Sequence, residues 1–212
     1  MKVKAIIFDF DGVIVDSVNV KTDAFRELFL SEKEYLQEII EFHLANGGMS
    51  RFIKFDIIYR DILKKPLSEE KSTELGEKFS QLVMQKVIEC AYMPGALEFI
   101  QKYSKQIRLF IASGTPQEEL QGITTQRGLN SYFKEIHGTP RGKPEIIRDI
   151  LTRYHFKIAE TPFVGDALND YKAALETSSP FYGYALRGDG GFPSVVNIVH
   201  SFQELEDRLF IK

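Results

Sequence analysis

Short apolar runs separated by helical stretches recur along this chain: Val3 to Phe8, Ile107 to Ala112, Glu135 to His137, Thr161 to Val164, Phe181 to Leu186 and Val195 to Val199. This alternation predicts an α/β fold with a parallel sheet covered by helices, because each parallel crossover lays a helix over the sheet. The alternation breaks once. From about Asp16 to Cys90 only helical patterns appear. Ser31 with Glu34 opens a stretch ending near Gly47 and Gly48, Ser50 caps one reaching Leu63 before Pro66, and Ser68 precedes a long third. Pro94-Gly95 marks the return to alternation. An all-helical insertion between the first and second strands is therefore expected. Farther along, Thr115 with Glu118 and Ser201 with Glu204 have capping-box spacing, and Pro116 is expected at the first helical position.

Composition narrows the function classes. The 212 residues suffice for a full core, and 43% hydrophobic residues with a net charge of -3 leave no global basic field for nucleic acid. Any anion site must be local. The single cysteine, Cys90, excludes an intramolecular disulfide and a cysteine-based metal cluster. His43, His137, His155 and His200 are scattered without paired metal-ligand spacing. Met1-Lys2-Val3-Lys4 leads into only four apolar residues before Asp9, too few for a signal-peptide core, and no later run could span a bilayer. The expected location is cytoplasmic, with neither a membrane nor a nucleic acid as partner.

In an open parallel sheet ligands bind beyond the carboxyl ends of the strands, so the residues after each strand carry the chemistry. Asp9 and Asp11 follow the first strand; an i, i+2 pair at a strand end aims both carboxylates at one spot, where a cation or proton must relieve the repulsion. Ser113-Gly114-Thr115 follows the second, offering a hydroxyl and helix-terminal amides to an oxyanion. The loop after the third carries Arg141, Gly142 and Lys143. Gly165 and Asp166 follow the fourth, with Asp170 four residues on. Singly, these read as a plain turn, a surface lysine and helix-start acids. Jointly, four consecutive strand ends present acid, hydroxyl, cation and acid. Gly142-Lys143 does not complete a P-loop, since the first glycine is one residue too near and Pro144 stands where a Ser or Thr is required.

Asp9-Phe10-Asp11-Gly12-Val13, then Ser113, then Lys143-Pro144, then Gly165-Asp166-Ala167-Leu168-Asn169-Asp170 resembles the four motifs of the haloacid dehalogenase superfamily, in order and across nearly the whole chain. The resemblance implies a Rossmann-like three-layer core at 1–15 and 91–212, and a helical cap at 16–90, as in subclass I members of the β-phosphoglucomutase and phosphoglycolate phosphatase-like group. It also implies a phosphatase for a small phosphorylated metabolite, a sugar phosphate or phosphorylated acid, working through an aspartyl-phosphate. Asp9 would be the nucleophile and Asp11 the general acid and base. Mg2+ would be held by the Asp9 carboxylate, the Asp11 backbone carbonyl and Asp166, with Asp170 behind them. Ser113, Gly114 and Lys143 would hold the phosphoryl oxygens.

Gly47-Gly48-Met49-Ser50-Arg51 is similar to a cap loop that points an arginine at the substrate, so Arg51, with Lys54 near it, is a candidate for a second anionic or polyhydroxyl group. Arg187 is a weaker candidate. Val15 to Ser17 and the segment near Tyr92 to Gly95 are expected to form the hinge. A phosphomutase on the same scaffold is the alternative. A phospho-receiver module fits less well because receivers lack an inserted cap, and a non-catalytic binding protein fits less well because every residue the chemistry needs is present. A monomer is favoured over an oligomer.

Overall fold

The computed structural model describes residues 3–210. The parts of the terminal readings that fall on Met1, Lys2, Ile211 and Lys212 lie outside the described residues. Six strands, β1 (Ala5–Phe8), β2 (Arg108–Pro116), β3 (Glu135–Thr139), β4 (Phe163–Gly165), β5 (Phe181–Tyr184) and β6 (Asn197–Val199), form one sheet of order β3-β2-β1-β4-β5-β6. Every pairing is parallel. All six expected runs are strands, with shifted ends. The largest shift is in β2, which continues through Ser113, Gly114 and Thr115 to Pro116 with a register break against β3.

β1 lies at the centre because both of its faces are apolar. Ile6 and Phe8 face one layer and Ala5 and Ile7 the other, all fully buried, each large side chain contributing about 1.5–3 kcal/mol relative to exposure. Helices α5 (Ala96–Tyr103), α6 (Gln117–Gln126) and α9 (Phe202–Phe210) cover the Phe8 face, where Phe99 meets the Phe8 ring edge-on at 6.1 Å. Helices α7 (Lys143–Arg153) and α8 (Leu168–Thr177) cover the other through Ile146, Ile150, Ala173 and Ala174. Three layers result. Among the described residues no helix is long and apolar enough to cross a membrane.

Between β1 and β2 the chain is helical: α1 (Val18–Leu28), α2 (Leu36–Ala45), α3 (Arg51–Ile57) running into a π-helical turn at Ile58–Ile62, and α4 (Glu69–Glu89). These four helices share an aromatic interior in which the Phe25 ring lies 4.1 Å from His43, 5.0 Å from Phe79 and 5.8 Å from Phe55. Ser68 caps α4 as expected, accepting the Lys71 N–H at 3.1 Å. Ser31 does not open α2: tight turns from Phe29 to Tyr35 intervene, and the helix starts at Leu36. The chain enters and leaves this segment side by side, with Asp16 N–H donating to Ala91 O and Met93 N–H to Ile14 O, both at 2.9 Å.

α6 ties the helical segment to the sheet at two places. Near its start the Glu119 carboxylate accepts both arms of the Arg51 guanidinium, at 2.5 and 2.9 Å, and the Ser80 hydroxyl at 2.5 Å. At its end Arg127 donates to the carbonyls of Val87, Ile88 and Cys90, the last turn of α4. Arg51 and Glu119 are both buried. Removing one partner from such a pair strands a charge, so Glu119→Ala is expected to cost about 3–5 kcal/mol in urea unfolding. The double change Arg51→Met with Glu119→Leu should recover most of it.

Candidate active site

β1 and β4 are neighbours at the point where the sheet's winding reverses, and the crevice there collects what their ends carry. Asp9 N–H donates to Val164 O at 2.8 Å, extending the β1–β4 pairing one residue and fixing the Asp9 backbone. On its side chain, Oδ1 accepts the Phe10 N–H at 2.7 Å. Oδ2 lies 2.8 Å from Lys143 Nζ at the start of α7, a buried ion pair. Asp9, Asp166 and Asp170 each present an oxygen within 4.8 Å of the others. Burial lifts the Asp9 carboxyl to about 7, against the pull of Lys143 and with a push from Asp170 and Asp11. Burial and the Asp9 and Asp170 charges raise Asp166 well above the carboxylate range. For Lys143 burial works against the charge, yet Asp170 and Asp9 outweigh it and hold the ammonium protonated.

The three acids are not equivalent. Asp170 has both oxygens engaged, one by Lys143 and the other by the Ala167 N–H at 3.1 Å. Asp11 points elsewhere: it accepts Ser17 Oγ at 2.6 Å, Lys21 Nζ at 2.5 Å and Thr115 Oγ1 at 3.0 Å. Burial pushes its carboxyl up, but Lys21 and the two hydroxyls overcome this and hold it below the usual range. Thr115, expected to cap α6, is drawn into this network, and α6 starts only at Gln117. Gly12 has φ +76°, and a Cβ there would overlap the Asp166 carboxylate, so glycine after Asp11 lets β4 bring its acid this close. Asp9 and Asp166 form an all-oxygen set suited to a hard divalent cation.

A cavity of about 450 Å³ opens onto Asp9, Asp11 and Asp166, roofed by the helical segment through Phe25, His43, Lys54 and Phe79. Ser113 is buried and its Oγ accepts the Thr115 N–H at 3.1 Å. With Lys143 it borders a second space across the Gly48–Met49 turn. That turn presses on the sheet: Asn169 Nδ2 donates to Gly47 O at 2.8 Å, and a Cβ on Gly114 would lie 2.6 Å from Gly48 O. Arg51 reaches the cavity wall, but its guanidinium is committed to Glu119 and Ser80. Arg187 does not line the cavity, whereas Gly190 and Gly191 do. Sequence reasoning did not identify Lys21, Thr115 or His43 as lining the site. For Lys21 a signal existed: α1 opens with no acid in its first turn and a lysine at its fourth position, against the helix dipole.

The family model described as haloacid dehalogenase-like hydrolase matches residues 3–176. The chain belongs to that family. It is 23% identical over 205 residues to a phosphorylated carbohydrates phosphatase of Thermotoga maritima, covering 95% of this chain and 88% of the relative. It is 25% identical over 183 residues to a phosphoglycolate phosphatase of Synechococcus elongatus, covering 82% and 79%. Among solved structures, a hydrolase from Pseudomonas syringae superposes with a TM-score of 0.78 at 20% identity, covering 97% of each chain. A magnesium-bound HAD-hydrolase from Bacillus subtilis superposes with 0.74 at 19%, covering 100% of each. These two show the same fold.

A raised carboxyl binds more protons folded than unfolded, so Asp166 contributes a loss of stability as pH rises from the usual carboxylate range through its raised value. Asp166→Asn removes that charge. In metal-free protein at pH 8 its Tm is expected to exceed the parent's by about 2–4 °C, measured by scanning calorimetry.

Proposed function

We propose that the chain is a Mg2+-dependent phosphatase for a small phosphomonoester, with residues 16–90 as a cap over a core made of the rest. The observation that carries this reading is the buried Asp9 carboxylate, paired with Lys143 at 2.8 Å and with an oxygen within 4.8 Å of Asp166 and Asp170. A carboxylate that lines the cavity beside a cation and other acids is placed to meet an electrophile. Mg2+, held by the Asp9 carboxylate, the Asp11 backbone carbonyl and Asp166, would neutralise charge on the phosphoryl oxygens. Ser113, the Gly114 amide and Lys143 support the same group. Names of the relatives support the activity: a phosphorylated carbohydrates phosphatase and phosphoglycolate phosphatases.

Asp9 Oδ2 forms the new bond to phosphorus as the ester P–O bond breaks, and Asp11 gives its proton to the departing oxygen. Asp11 then takes a proton from the water that attacks phosphorus, which releases phosphate and restores Asp9. Because Lys21 keeps Asp11 ionised beforehand, the proton arrives with the substrate: a phosphomonoester holds one with a second pKa near 6. Lys21 positions Asp11 and sets its acidity.

Asp9→Asn should abolish phosphate release and phosphoenzyme formation in a protein with unchanged circular dichroism, and EDTA should do the same to the parent until Mg2+ is restored. Retained turnover in a clean Asp9→Asn preparation would remove the nucleophile assignment. Lys21→Met should shift the acid limb of kcat/KM upward by about one pH unit or more, since ionised Asp11, which takes the substrate's proton, loses the cation that depresses its carboxyl.

A further inference from the structure

Lys54 is 3% exposed and lines the same cavity as Asp9, Asp11 and Asp166. It donates to His43 Nδ1 and to the His43 carbonyl, both at 3.1 Å, and neither partner carries negative charge. The other cations along this wall are neutralised, Lys21 by Asp11 and Arg51 by Glu119. Lys54 is the exception among the described residues of the cavity. Burial, with Lys21 nearby, lowers the Lys54 ammonium to about 7, so its charged form is costly until an anion completes it.

His43 sharpens the picture. Burial, with Lys54 beside it, pushes its imidazole down to about 3, so the ring is neutral. With Nδ1 accepting from Lys54, the proton sits on Nε2. Among the described residues no hydrogen bond to that N–H is formed, and His43 lines the cavity. With Lys54 protonated, the pair offers one unused Lys54 N–H, the His43 Nε2–H and a single positive charge. Two donors with one charge match the two oxygens of a carboxylate; a hydroxyl leaves the charge unanswered, and a phosphate dianion exceeds it.

We infer that Lys54 and His43 form a carboxylate subsite, so that the substrate is a phosphorylated carboxylic acid whose carboxylate binds beneath the cap while its phosphate lies at Asp9. The inference rests on the phosphatase reading. It moves the role of reading the substrate's second anion from Arg51, whose fork is filled, to Lys54, whose charge is open.

The test uses two isosteric pairs, 2-phosphoglycolate with 2-hydroxyethyl phosphate, and 3-phosphoglycerate with glycerol 3-phosphate. In the full-length protein with Mg2+, the carboxylate member of at least one pair should be preferred about tenfold or more in kcat/KM, chiefly through KM. Lys54→Met should reduce that preference to near unity. The same substitution should raise the Tm by about 2–4 °C, because it removes a buried unpaired charge, whereas loss of a structural lysine would lower it. His43→Gln, a gentler change, should weaken the preference in the same direction. Calorimetric binding of each pair to the Asp9→Asn protein reads the selectivity without turnover. Selective binding with no hydrolysis by the parent overturns the phosphatase reading alone. Hydrolysis without a preference, or a preference that survives Lys54→Met, overturns the subsite.

Discussion

Everything at the catalytic end of the sheet depends on forcing buried carboxylates together. Asp9 and Asp166 leave neighbouring strands at the reversal of winding, and Asp170 enters from the first turn of α8. Left alone, three such charges out of water would repel strongly enough to protonate or unfold the site. Lys143 offsets part of this by touching Asp9 and Asp170 at once. What it leaves unanswered is Asp166, which with Asp9 is the part of the cluster with chemistry to offer. Gly12 matters for the same reason, since a side chain there would push Asp166 out of the cluster.

The helical segment repeats this logic with opposite sign. Its roof brings Arg51 and Lys54 into an apolar, aromatic-lined space, and α6 reaches up from the core to neutralise only Arg51. One ion pair therefore serves as a structural tie between the insertion and the sheet, and the cation three residues on is left to the ligand. Stability and recognition are divided between neighbouring residues of one short helix.

Much of this was legible in the chain alone. The continuous apolar run at β1 and the later strand runs marked the parallel sheet, and four strand ends carried Asp9, Ser113, Lys143 and Asp166 in order. Element ends were less legible. Thr115 and Ser31 both had capping signatures, yet Thr115 hydrogen-bonds Asp11 from 104 positions away and Ser31 falls in tight turns before α2. Local signals of about 1 kcal/mol yield to tertiary contacts of similar or larger size. The free or paired state of each cation was not legible at all, because a partner's identity depends on distant residues: Glu119 lies 68 positions from Arg51, and Lys21 meets Thr115 94 positions away.

The amino-acid order by itself determined the strand and helix periodicity and placed acids and a hydroxyl at strand ends, since side-chain patterning along a backbone is a local property. Tertiary structure decided which acids Lys143 touches and why Arg51 is spent while Lys54 is not. Those outcomes turn on ångström-scale distances between segments far apart in sequence, and burial, which sets the cost of each unpaired charge, exists only once the chain has closed around it.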